Sequence, residues 1–225
     1  MGQPTDRLAA LIEALPPELA RNALTHASWT DDPLESFERL AFLGDSVLGL
    51  AVSARIYPEL RSSSAGRLTK VRAHAVSGRS CKRVALVLGL DERLREAAPS
   101  SGRGRAVETL LEAERPLASV MEAVIGACYL THGFEATAEA VAEAFSPEVE
   151  FATENVLDFK SALQEALARR GRKVSYEVVA EAGPPHKREF TVEAQVGAEI
   201  VGLGHGASKK EAEQEAARQA LESVR

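Results

Sequence analysis

Apolar residues recur at helical spacing through most of the first 145 residues. "DRLAALIEAL" and "PPELARNALTHAS" predict two short helices, the second opened by a proline pair. "FERLAFLGDSVLGLAVSARIYPEL" predicts one long helix, apolar enough to be largely buried and ending near Pro58. "SSAGRLTKVRAHAVSGRSCKRVALVLGL" predicts two more, broken at Ser77-Gly78. "AVETLLEAERPLASVMEAVIGACYLTHG" predicts a single helix stopped by Gly133, and "FEATAEAVAEAFS" closes the block. Between them, "EAAPSSGRGR" has the Pro, Ser and Gly content of an exposed loop.

The pattern changes near residue 150. "FSPEVEFATENV" reads as a linker. "DFKSALQEALARRG" is a helix stopped by Gly171, and "VSYEVVAEAG", "KREFTVEAQVG" and "AEIVGLGHG" alternate as three short strands. "SKKEAEQEAARQALESV" is a last helix, with Ser208 as N-cap and Glu211 completing a capping box. No helix separates the strands, so an antiparallel sheet with both helices on one face is expected. The implied division is a helical domain over 1–150, a linker over 151–157 and an α-β-β-β-α module over 158–225.

Composition changes this picture little. The chain has 225 residues, 45% hydrophobic and 27% charged, as a soluble globular protein does. Its apolar runs are short for a membrane span, and no signal segment opens it, so a cytoplasmic address without membrane contact is expected. Cys81 and Cys128 are isolated in apolar helical contexts, which predicts buried free thiols and no zinc pattern. Charge is more informative. The net charge is −6, yet the segment from Asp158 on has 11 Lys/Arg against 11 Asp/Glu, so the helical body carries the whole excess. A neutral module with clustered lysines is compatible with a nucleic-acid patch.

Candidate chemistry lies in both parts. On a helix, Glu38, Ala41, Phe42 and Asp45 share one face. Glu122 sits in the apolar run "LASVMEAVIGACYL". An acid there needs a base, for which Arg39 and Arg72 are candidates, or a cation. Mg²⁺ takes oxygen ligands and keeps several waters, so two or three carboxylates from separate helices suffice. At the other end, Lys209 and Lys210 fall on the first turn of a helix, where free N–H groups and the dipole favour phosphate. Ala212, Ala216, Ala217 and Ala220 give that helix a small-residue face for close packing.

"DFKSALQE", "GPPHKREFTVEAQV" and "GLGHGASKKEAEQEAARQAL" resemble the double-stranded RNA-binding domain over nearly all of 158–225. The resemblance implies that Gln164 and Glu165 meet one minor groove and that Pro185 and His186 enter the next. Lys209, Lys210 and Gln214 would face phosphates across the intervening major groove, reading A-form shape. Gln214 stands where a lysine is frequent.

"FERLAFLGDSVLGL" resembles the signature segment of ribonuclease III, and "LTHAS", "GRLTKVRAHAVS" and "MEAVIGACYLTHG" follow the family's order. That resemblance implies an all-helical, dimeric nuclease domain hydrolysing double-stranded RNA with Mg²⁺, Mn²⁺ being a possible substitute, in rRNA and mRNA maturation. Asp45 and Glu122 match the family's central catalytic and metal-binding acids, and Glu38 matches the first acid of the signature. Phe42 matches an aromatic of the dimer contact; an ordinary core phenylalanine is the alternative.

The chain also departs from the family pattern. Ala41 and Ser119 stand where two further acidic metal ligands are expected. Ala65 and Arg67 replace frequent acids, and Ala27 replaces a frequent arginine. Each missing carboxylate removes a hard oxygen ligand and a negative charge, and Glu35, Glu112 and Glu114 are the neighbouring candidate acids to replace them. Two readings therefore stand: a double-strand-specific ribonuclease with a reduced metal site, and a protein that binds duplex RNA on the same scaffold with cleavage impaired.

Overall fold

The computed structural model describes residues 2–61, 63–155, 159–184 and 188–224. The chain forms two compact units, one of residues 1–61 and 68–156, the other of residues 157–225 with the short stretch 62–67.

The first unit is helical: α1 (Asp6–Glu13), α2 (Pro17–Ala23), α3 (Glu38–Glu59), α4 (Ala65–Ala75, of which residues 68–75 fall in this unit), α5 (Gly78–Val87), α6 (Leu90–Ala97), α7 (Val107–Glu112), α8 (Glu114–Ala144) and α9 (Ser146–Asn155). Its centre is the pair α3 and α8, both long and apolar enough to cross a bilayer by composition, yet packed on each other as core helices. Two glycines set their spacing. A Cβ on Gly44 would lie 1.7 Å from the Glu122 carbonyl oxygen, and one on Gly126 would lie 2.3 Å from the Leu40 carbonyl oxygen. Only hydrogen fits at either position, so the helix backbones touch there. Around this crossing Leu48, Val52, Met121 and Ile125 are fully or almost fully buried.

Ser77 caps α5 by accepting from the Ser80 N–H at 3.3 Å, which explains the break expected at Ser77-Gly78. Two expectations need correction. The helix read through "AVETLLEAERPLASV" is interrupted at Ala113, whose ψ of 153° is extended. Lys82 fixes that break by donating to the Leu111 and Ala113 carbonyls, each at 3.0 Å. The helical pattern then continues into α8, and Gly133 (φ 80°, ψ 176°) leaves helical geometry and divides α8 into two helices, as expected from its position in the sequence.

The second correction concerns "FSPEVEFATENV". Residues 146–155 are helical, and Val149 and Ala152 belong to the core of the first unit. Glu148 is buried because Arg83 of α5 grips both of its carboxylate oxygens. Burial pushes its pKa up, but hydrogen bonds from Arg83 and Ser80 and the nearby charges outweigh that, and the net shift is downward.

The second unit is an α-β-β-β-α module: α10 (Phe159–Ala168), β1 (Ser175–Ala182), β2 (Glu189–Val196), β3 (Glu199–Gly206) and α11 (Lys209–Val224). The sheet is antiparallel in the order β1-β2-β3, with Val192 paired to Val178 on one side and Gly204 on the other. Phe190, Val192, Ala194 and Val196 form its buried face. Against it lie Ala212, Ala216, Ala217 and Ala220 of α11, all fully buried. A Cβ on Gly204 would come within 2.1 Å of the Ala212 carbonyl, so small residues on both elements permit the contact. The Ser208 hydroxyl accepts from the Glu211 N–H at 3.2 Å, while Glu211 accepts from the Ala207 N–H at 3.0 Å, one residue beyond the simplest capping box.

Candidate active site

At the α3–α8 crossing the first unit opens into a cleft of about 760 Å³. Glu38, Ala41, Phe42 and Asp45 of α3 line one wall. Arg115, Ser119 and Glu122, one stripe of α8, line another. His26 and Arg105 also reach it from loops remote in sequence. The three predicted acids are thus in one cleft, and so are both positions where acids are missing. Glu35, Glu112 and Glu114 are not among its lining residues.

Asp45 and Glu122 are electrostatically coupled. Burial raises the Glu122 pKa first, the Asp45 charge adds to this and Arg115 opposes it, leaving the carboxyl pushed up to about 7. No ion pair from Arg39 or Arg72 to Glu122 exists among the described residues; Arg72 instead points a guanidinium N–H at Ser53 Oγ, 3.4 Å away. A partly buried acid facing another acid is the arrangement expected of a cation site rather than of a structural salt bridge.

The donor set fits one hard divalent ion held by Asp45 and Glu122, with Glu38 at the rim, because Mg²⁺ is commonly bound through one or two carboxylates and waters. It does not extend further. Among the described residues no group of three or more His, Cys, Asp or Glu side chains is placed to hold a metal. Ala41 presents a methyl group, 8% exposed, and Ser119 a neutral hydroxyl.

His26 and Arg105 carried no periodic signal in the sequence. The Ser28 N–H donates to His26 Nδ1 at 3.0 Å, so the neutral ring holds its proton on Nε2. Burial, then Arg105, lowers the His26 pKa against the pull of Glu38, which keeps the ring neutral. The loop after α6 is pinned to the same segment. The Arg105 N–H donates to Ser28 Oγ at 3.0 Å, and Trp29 Nε1 donates to the Arg105 carbonyl at 2.8 Å. Gly104, at φ +75°, packs on Ser28 where a Cβ would lie 2.2 Å from the carbonyl oxygen.

Phe42 is not a core residue: it is 81% exposed beside a groove it shares with Leu43 and Leu130.

In the second unit, Lys209 and Lys210 are exposed on the first turn of α11, and Gln164 is exposed on α10 with Glu165 half-buried. Lys209 Nζ lies 5.7 Å from the Phe190 ring centre. Gln214 is half-buried, and its Oε1 accepts from the Lys160 N–H at 3.4 Å, which ties α11 to α10. Pro185 and His186 lie outside the described residues.

Comparison with known proteins agrees with this architecture. The profile of the family "Ribonuclease-III-like" matches residues 16–149, and that of the "Double-stranded RNA binding motif" matches residues 159–224. Ribonuclease 3 of Streptomyces coelicolor is 41% identical over 208 residues, covering 90% of this chain and 73% of that protein. Ribonuclease 3 of Bacillus cereus is 40% identical over 214 residues, covering 92% and 85%. Among solved structures, the nuclease domain of ribonuclease III from Campylobacter jejuni superposes with a TM-score of 0.54 at 27% identity, covering 64% of this chain and 96% of that one. Dicer from Pichia stipitis gives 0.50 at 26% identity, covering 92% and 93%. The chain therefore belongs to the ribonuclease III family of endoribonucleases, with a helical nuclease domain followed by a double-stranded RNA-binding domain.

Proposed function

We propose that this protein hydrolyses phosphodiesters of double-stranded RNA with Mg²⁺, or Mn²⁺ in its place, using the cleft at the α3–α8 crossing. The observation that carries the reading is the coupled pair Asp45 and Glu122, set side by side where the two backbones touch. These two carboxylates would hold the ion, and Glu38 would attract it from the rim. When bound, the ion supplies Lewis acidity at the phosphate and activates water. The neutral His26 ring and the pinned Arg105 loop line the same cleft. The α-β-β-β-α module grips the duplex through Lys209 and Lys210, without base readout.

A homodimer is part of the same proposal. Phe42 is a large exposed aromatic next to an apolar groove, which favours burial against a second copy. The Campylobacter jejuni nuclease domain is described as having a region involved in dimer formation. Phe42→Asp is expected to convert the chain to monomers in sedimentation. The biological setting proposed is maturation of rRNA and mRNA in the cytoplasm.

The relatives named above are ribonucleases, and no comparison favours a scaffold that has lost cleavage. The test is cleavage of long duplex RNA in millimolar-range Mg²⁺ or Mn²⁺. Cutting that disappears in Asp45→Ala and Glu122→Ala, with duplex binding retained, is the expected result. Binding without cutting by the wild-type chain would replace this reading by the non-cleaving one.

A further inference from the structure

The cleft carries a second set of charged groups beside the two acids. Arg105 and Arg115 both line it, and neither guanidinium is held in an ion pair among the described residues. This contrasts with the neighbouring arginines: Arg103 is tied to Asp31, and Arg95 to Asp91 and Glu108. Arg105 is nonetheless fixed, because its backbone is hydrogen-bonded on both sides, through its N–H to Ser28 and through its carbonyl to Trp29. Arg115 stands in the first turn of α8, one turn before Ser119 and two before Glu122 on the same stripe. Along that stripe the cleft runs from guanidinium to hydroxyl to carboxylate.

Charge gives this arrangement a consequence. Three carboxylates (Glu38, Asp45 and Glu122) face two guanidiniums and a neutral imidazole. With acids at 41 and 119 the same space would hold five carboxylates against two guanidiniums, and an RNA phosphate would enter only with divalent cations to offset the repulsion. With alanine and serine there, the excess of carboxylates over guanidiniums falls from three to one, and the repulsion on an entering phosphodiester is far smaller. The planar guanidinium donates two parallel N–H bonds to phosphate oxygens, and the Ser119 hydroxyl adds a neutral donor.

We propose that Arg105 and Arg115 form a phosphate clamp that holds an RNA backbone phosphodiester in the nuclease cleft without a divalent cation. The clamp rests on the reading of this cleft as the place where RNA backbone is bound for cleavage, but it concerns binding alone. Loss of carboxylates at 41 and 119 then weakens the hold on metal and strengthens the hold on the ligand's own charge.

The test uses the full chain carrying Lys209→Ala and Lys210→Ala, so that contributions from the RNA-binding domain are reduced. Binding of a labelled RNA duplex is measured by anisotropy in EDTA, across a series of monovalent salt concentrations. Adding Arg105→Ala and Arg115→Ala is expected to weaken binding roughly tenfold and to lower the slope of log affinity against log salt by about two. Arg105→Lys with Arg115→Lys keeps the charges and should restore most of the slope but only part of the affinity. In the opposite direction, Ala41→Glu with Ser119→Asp should weaken binding in EDTA. Circular dichroism establishes that each variant is folded. Unchanged affinity and slope in the arginine variants, or unchanged EDTA binding in Ala41→Glu/Ser119→Asp, would overturn the clamp. Failure of the wild-type chain to cut RNA would not touch it, because no cleavage enters the measurement.

Discussion

Gly44 of α3 and Glu122 of α8 meet backbone to backbone, with room for only a hydrogen where a Cβ would lie 1.7 Å from the Glu122 carbonyl oxygen. The contact puts Asp45, the next residue, beside the Glu122 side chain. The pairing of the two acids is therefore a consequence of helix packing, with a glycine as its cause.

Gly44→Ala should consequently damage both stability and chemistry. The new methyl meets backbone atoms that cannot rotate away, so α3 and α8 must separate. Overpacking of this kind costs about 1–3 kcal/mol, and the rigid partner puts this site at the upper end. Urea denaturation should show a lower midpoint, and RNA cleavage should fall further than the fraction folded accounts for. A midpoint and activity equal to wild type would mean that the crossing is looser than described here.

The Glu122 carboxyl gives a pH dependence with a definite sign. Its folded pKa is raised from the ordinary 4.5 to about 7, by burial first and by Asp45 second. In metal-free protein the folded state therefore binds more protons than the unfolded state between those values, and stability decreases as pH rises through that window. Glu122→Gln should flatten the decline. A divalent ion must displace the same proton, so Mg²⁺ affinity measured by calorimetry should rise with pH up to about 7 and level off above it. Affinity independent of pH between 5 and 7, to take round values within about the range of the shift, would remove Glu122 from the site.

Lys209 and Lys210 lie on the exposed first turn of α11, whose own packing depends on the buried alanine face behind them. Changing both to Ala should weaken duplex binding about equally for unrelated sequences. It should also lower the salt slope by about two, one for each lost phosphate contact. Thermal melting should stay near wild type, since neither lysine is buried. Sequence-dependent losses would indicate base readout instead.

How much of this was legible in the chain differs by element. The strands and the last helix follow from alternation and from the cap at Ser208, because those signals are local. The acids Glu38, Asp45 and Glu122 could be paired across separate helices only through family resemblance; no spacing rule links α3 to α8. Gly44 and Gly126 were visible as glycines inside apolar helices, a recognised sign of close packing, but their partner backbones are fixed only in three dimensions. Arg105 reaches the cleft through hydrogen bonds to Ser28 and Trp29, more than seventy residues away, which no local pattern encodes. The 146–155 segment looked like a linker because Glu148 reads as exposed charge, whereas Arg83 neutralises it within the core. Gln214 is placed beside Lys209 and Lys210 by resemblance, and the bond its Oε1 accepts from the Lys160 N–H is set by the packing of α10 on α11.

The central claim is that this cleft is a working ribonuclease site with two ligands fewer than its family uses. A Mg²⁺ titration of duplex RNA cleavage by the wild-type chain and by Ala41→Glu/Ser119→Asp tests it most directly. Both proteins should cut, and the variant should reach half-maximal rate at a Mg²⁺ concentration roughly tenfold lower, since each added carboxylate supplies a hard oxygen ligand and a charge. An uncut duplex with the wild-type chain at every Mg²⁺ concentration, or identical titration curves for the two proteins, would contradict it.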